Sequence, residues 1–112
     1  MAVHVKALAV GKIDQSSSST PTAVYSASRA AIVKTMRFVN TGAAAHTLNL
    51  QLTLLAGTKS LISPSSVSVA AGSMYVDTDE VTLGAGDKIE GWASTPINEI
   101  QFVVSGIERD EA

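Results

Sequence analysis

Two histidines, three closely spaced acids and many serines are the residues of this sequence whose types could do chemistry. His4 and His46 stand apart, with no second His or Cys at ligand spacing, so each reads as a surface or strand-end histidine and not as a zinc ligand. Asp77, Asp79 and Glu80 resemble a calcium loop only in being acidic, because the loop's glycine and terminal glutamate are missing; they read as carboxylates on the rim of a turn. No serine sits in a G-x-S-x-G elbow, and Gly84-Ala85-Gly86 lacks the strand-to-helix setting of a phosphate loop. Paired carboxylates for glycoside hydrolysis depend on a spatial separation that sequence leaves open. Trp92 with Tyr25 and Tyr75 would offer a sugar-stacking platform, yet a single Trp beside Ile89 in a strand reads as core or interface. The expectation is a protein that is not an enzyme, with no catalytic, metal-binding or cofactor-binding residue and no cofactor.

Composition narrows the setting further. A chain of 112 residues fits one domain, residues 1–112, long enough to bury a core without covalent staples. With 46% hydrophobic but only 4% aromatic residues, that core must be built from Ala, Val, Leu and Ile. The absence of cysteine excludes a disulfide framework, thiolate metal sites and thiol catalysis. The opening M-A-V-H-V-K-A-L-A-V-G-K has neither the apolar run nor the cleavage site of a signal peptide, and no stretch of eighteen apolar residues occurs anywhere. A soluble, non-secreted protein with no membrane partner is expected.

The net charge of −2 conceals an asymmetry. Up to Ser60 there are six basic residues against Asp14, and after it two against nine acids, so the two parts carry +5 and −7. Folding interleaves the two parts in a β-sandwich and can erase the asymmetry, or it leaves a basic and an acidic edge suited to head-to-tail or shell-surface contacts. Nucleic-acid binding is not expected, because the basic residues are scattered singly without interleaved aromatic rings.

The element that must organise these residues is T-L-N-L-Q-L-T-L-L, Thr47 to Leu55. Leu48, Leu50, Leu52 and Leu54 share one side of a period-two pattern and Thr47, Asn49, Gln51 and Thr53 the other, which predicts a half-buried strand with an apolar inner face and a solvated outer one. Strands are also predicted at Val3–Val10, Thr22–Ser26, Ala30–Asn40, Ser66–Ala70, Met74–Thr78, Glu80–Leu83, Lys88–Ser94 and Glu99–Ile107, with a short edge piece at Leu61–Pro64. In Ala30–Asn40, Ile32, Met36 and Phe38 share a face with Lys34, and Val33 and Val39 share the other with Arg37; both faces are partly apolar, as in a strand covered by a loop or another subunit. Asn40-Thr41-Gly42 supplies residues that tolerate positive φ for the turn into the central strand. Ile13 to Thr22, with its serine run and proline, reads as a loop or arm, so that residues 1–22 are a strand plus flexible segment, and residues 108–112 form a charged tail. Eight or nine short strands with turn signals between them predict an all-β fold, a single antiparallel β-sandwich of jelly-roll type.

The succession A-A-I-V-K-T-M-R-F-V-N-T-G, the leucine strand, V-A-A-G-S-M-Y-V-D, V-T-L-G-A-G-D-K-I-E-G-W-A-S and F-V-V-S-G-I-E resembles small β-sandwich virion proteins of tailed bacteriophages, from about Tyr25 to Glu108. Those proteins include capsid decoration (cement) proteins and tail or fibre-attachment modules. Where the pattern has a Pro-Ala-Gly-Lys type turn before the third strand, this chain has Ser26-Ala27-Ser28-Arg29. The resemblance implies a decoration protein that bridges neighbouring capsomers, with the major capsid protein of the same virion as partner and copies of the chain arrayed as a homo-oligomer on the lattice. Its place would be the capsid surface, after the host cytoplasm during assembly. The alternative it implies is a tail, neck or fibre-attachment module that binds another virion component or a host glycan. Candidate partner contacts are Val3, His4, Val5 and Lys6 of the N-terminal strand, Ser16, Ser17 and Ser18 of the loop, and Lys34 and Arg37 of the third strand.

Overall fold

Period two governs the chain throughout. The computed structural model describes residues 3–63, 65–95 and 97–109, with side chains from Ala7 onward, and among these residues it contains no helix. Its strands are β1 (Val3–Lys12), β2 (Thr22–Ser26), β3 (Ala31–Asn40), β4 (His46–Thr53), β5 (Lys59–Leu61), β6 (Val67–Val69), β7 (Met74–Asp77), β8 (Val81–Leu83), β9 (Lys88–Ala93) and β10 (Ile100–Arg109). Sheet A has the order β1-β10-β3-β7 with β8 also on β3; sheet B has the order β2-β9-β4-β5 with β6 also on β4.

Ten strands reduce to eight positions, because β7 and β8 lie end to end along β3, and β5 and β6 along β4. First then pairs with last, second with seventh, third with sixth and fourth with fifth, all antiparallel. The chain is one long hairpin wound so that its ribbon packs against itself as two sheets, which is the jelly-roll winding within an antiparallel β-sandwich.

Val33, Met36 and Phe38 of β3 and Ile100, Phe102 and Val104 of β10 form the inner face of sheet A; Leu48 and Leu50 of β4 and Ile89 of β9 belong to the inner face of sheet B, and all are buried. The Phe38 ring lies 6.0 Å from that of Phe102 and 6.4 Å from that of Tyr75, in tilted pairs. Ile13, expected in the loop, is fully buried in this core: its N–H donates to the Ile100 carbonyl at 2.8 Å, and its carbonyl accepts from Asn98 at 2.9 Å. The loop proper therefore begins after it.

Four expectations need correction. β4 ends at Thr53, so Leu54 enters the turn and is 37% exposed, while Leu52 is only partly buried. The outer residues Asn49, Gln51 and Thr53 are not solvated but buried, because side chains and a loop of sheet B close over them. Where β5 stops and β6 has not begun, Ser63 Oγ accepts the Leu50 N–H at 3.1 Å, and Asn49 Oδ1 accepts the Ser66 N–H at 2.7 Å; these bonds stand in for missing ladder rungs. In β3 the faces switch partway. Ser105 opposes Thr35 but Gly106 opposes Val33, leaving Lys34 as an extra residue in a bulge. Val33 therefore faces inward and Ile32 does not join Met36 and Phe38. Finally, Asn40-Thr41-Gly42 is a crossover between sheets and uses no positive φ. The Asn40 amide donates to the Ala44 and Val69 carbonyls, and its oxygen accepts the Gly42 N–H.

Polar ties close both ends of the sandwich. At one end the Tyr25 hydroxyl donates to Glu108 Oε2 at 3.0 Å, joining β2 to β10; burial and the neighbouring carboxylate push the phenol up to about 12. At the other end buried His46 has Nδ1 2.8 Å from the Ser94 carbonyl and Nε2 2.6 Å from Glu99 Oε1. Gly42 leaves room for that carboxylate, since a Cβ there would lie 2.1 Å from Glu99 Oε1. His46 is thus a strand-end histidine whose partners are hydrogen-bonding oxygens.

The leucine stripe leaves the core between Leu50 and Leu54. Leu50→Ala is expected to cost about 2–5 kcal/mol and Leu54→Ala less than about 1 kcal/mol, read as the shift in midpoint of a urea or thermal melt. Equal losses would contradict the placement of β4.

Candidate interaction surface

The outer face of sheet A carries exposed apolar side chains that no other described residue covers. Across it Val10 of β1, Val103 of β10, Arg37 of β3 and Val76 of β7 stand in register in one row, and Lys12, Gln101, Val39 and Met74 in the next. Val10 is 72% exposed, Met74 52% and Val76 45%, a run of large apolar side chains on one surface. Thr35, Arg37, Met74, Val76, Val103 and Ser105 line a shallow groove of about 290 Å³ there. A second groove of about 380 Å³ lies further along the same sheet, between Ala30, Ile32, Thr82, Ile107 and Arg109. The Lys34–Glu80 ion pair stands at the bulge, on the stretch of β3 between them.

Sheet B carries the other chemically distinctive cluster. Glu90 of β9 lies opposite Gln51 of β4 and is 8% exposed. Its Oε1 accepts from Thr53 Oγ1 at 2.6 Å and Gln51 Nε2 at 3.2 Å, while Lys88 Nζ lies 3.4 Å from Oε2. Burial works to raise this carboxyl, but the hydrogen bonds from Thr53 and Gln51 and the Lys88 ammonium outweigh it and hold the group below the usual carboxylate range. The paired carboxylate ties β9 to β4 across the outer face of sheet B.

The residues expected to touch a partner are not brought together. Val3, His4, Val5 and Lys6 pair through their backbones with Arg109 to Gly106, and their side chains lie outside the described residues. Ser16, Ser17 and Ser18 are exposed in the loop beyond the opposite end of β1, where Ser17 Oγ accepts the Ser19 N–H at 3.2 Å. The base of that loop is ordered: Thr22 Oγ1 donates to Asp14 Oδ1 at 2.7 Å, and Gln15 accepts from Ala93. Lys34 is committed to Glu80. Arg37 alone stands in the apolar face, alongside Val10, Met74, Val76 and Val103, which sequence reasoning did not group with it. In sequence those four are scattered from residue 10 to 103, and only strand order gathers them.

The aromatic platform does not form. Tyr25 is buried between the sheets, Tyr75 packs against Phe38, and Trp92 sits opposite Asn49 on sheet B. Asp77 is buried with Oδ1 accepting the Asp79 N–H, and among the described residues no group of three His, Cys, Asp or Glu side chains is placed to hold a metal ion. Asp110 to Ala112 of the charged tail lie outside the described residues.

No protein-family model and no curated protein matches the chain. Among solved structures, one described as the structure of infectious bursal disease virus Gt strain aligns with 95% of this chain at a TM-score of 0.46 and 9% identity. The aligned part is 32% of that chain, about a third of its length, and a likeness of this size carries no functional argument.

The Glu90 cluster makes a pH prediction with a definite sign. A carboxyl depressed in the folded state adds stability above its unfolded pKa, and that stability is lost as pH falls through the folded value. Thermal melts from neutral to acid pH are expected to show wild type losing more melting temperature than Glu90→Gln. Parallel curves would show that Glu90 is not held ionised by its neighbours.

Proposed function

We propose that the protein is a non-enzymatic structural module of a virion, a capsid decoration (cement) protein that binds the outer shell across capsomer boundaries. The observation that carries this reading is the uncovered apolar face of sheet A on a domain whose interior is filled by its own side chains. With the interior filled, recognition falls to the surface, and exposed Val10, Met74 and Val76 make the outer face of sheet A suited to another protein. The resemblance to tailed-phage β-sandwich proteins supports the virion setting, with the major capsid protein as partner and repeated copies on the lattice. Many weak contacts on a symmetric shell stabilise it through avidity.

Such a protein recognises a surface that exists only when capsomers stand side by side. Co-sedimentation with mature empty shells is expected to saturate at many copies per particle, whereas unassembled coat protein at matched salt binds poorly. Equal binding to free coat subunits rejects the cement role, and saturation at one vertex or tail per particle replaces it with a tail or neck module.

A further inference from the structure

We propose that Arg37, set among Val76, Val103, Val10 and Met74 on the outer face of sheet A, is the recognition residue of a docking site for a carboxylate that a partner protein presents within an apolar surface. The inference rests on the proposed function for the identity of the partner and on geometry for the site.

Arg37 lies between Val103 and Val76 in register, so its guanidinium rises from an apolar row in the middle of the sheet. It has no hydrogen-bonding or ionic partner among the described residues, and neither has Lys12 in the adjacent row. Lys34, three residues away along β3, is neutralised by Glu80; the buried Asp77 carboxylate accepts the Asp79 N–H, and Glu108 accepts from Tyr25. Arg37 and Lys12 are therefore two positive charges with no ion pair among the described residues, set among the exposed Val10, Met74 and Val76. A guanidinium offers a planar fork that matches a carboxylate through two parallel hydrogen bonds, and apolar walls that exclude water strengthen such a pair. Arginine surrounded by apolar contacts is also the composition of interface hot spots.

The charge selects the occupant. Two copies stacked face to face would set basic rows against basic rows, which disfavours self-pairing, while an acidic partner complements them. Size fits as well. Strands of 10 residues in β1, β3 and β10, with β7 and β8 completing the fourth position, give a face of roughly 33 by 19 Å, or about 600 Å². A standard interface buries about 800 Å² per partner, so this face suffices for one weak contact multiplied over a lattice.

Two measurements test the site separately from the function. In the first, Arg37→Glu is expected to weaken co-sedimentation with mature empty shells at least about tenfold, Arg37→Lys to weaken it less, and Lys59→Glu, a charge reversal on sheet B, to leave it unchanged. Thermal melts of each variant confirm the fold. In the second, octanoate, a carboxylate on an apolar tail, is titrated into the free protein and followed by amide shifts. Shifts at Thr35, Arg37, Val76 and Val103 that octylamine does not produce and Arg37→Gln abolishes support the site. If wild type sediments with shells and Arg37→Glu sediments equally, the site is wrong while the decoration role stands. If wild type does not sediment, the decoration role fails and the octanoate titration alone decides the site, absence of shifts overturning it. A dimer in sedimentation velocity that Val76→Asp dissolves also overturns it, with a second copy as occupant.

Discussion

One extra residue in β3 determines both the core and the outer surface of sheet A. Before the bulge at Lys34, Ala31 and Val33 face inward; after it, Met36, Phe38 and Asn40 do. Strict alternation from Val33 would send Thr35 and Arg37 into the core and turn Met36 and Phe38 out, since a one-residue slip reverses every later side chain. A buried unpaired guanidinium costs several kcal/mol, comparable to a large part of the stability of a domain this size. Gly106 makes the bulge possible, because a Cβ there would lie 2.1 Å from the Ile32 carbonyl oxygen. On the other side of β10, β1 carries its own irregularity between Ala7 and Ala9, opposite Ser105 and Val104. Both neighbours of β10 thus break register at the same level, which bends and twists the sheet there.

The wound hairpin needs its ends closed, and polar side chains do this where aliphatic ones cannot. Tyr25 with Glu108, and His46 with Ser94 and Glu99, each link sheet B to sheet A or to the loop entering it. Asn40 satisfies three backbone groups of two crossovers while fully buried. Among the described residues no buried side-chain nitrogen or oxygen lacks a hydrogen-bond partner. These groups fix the winding and leave the outer face of sheet A exposed.

Most strands are legible in the sequence because alternation is local, although the edge piece expected at Leu61–Pro64 forms at Lys59–Leu61. β2 is read with its observed bounds, and Ile100, Phe102 and Val104 face inward as the pattern requires. The bulge was not legible: I-V-K-T-M-R-F has apolar residues at both parities, and only pairing with β10 reveals which residue is extra. The burial of β4's outer face is hidden from the sequence for a related reason. Asn49, Gln51 and Thr53 look solvated until Glu90 and the segment around Ser63 and Ser66, distant in sequence, supply their partners. Arg37 stands out within its own strand, but the apolar surface around it is made by four strands whose adjacency follows from topology.

The central claim is that sheet A faces the partner and sheet B does not. Imaging intact particles with and without the protein, at a resolution that separates the two sheets, tests it most directly. The account expects added density lying across capsomer boundaries, with the outer face of sheet A against the shell and Arg37 beside a carboxylate of the coat protein. Density in which sheet A points to solvent and the shell is met by sheet B or by the β4–β5 turn would contradict it.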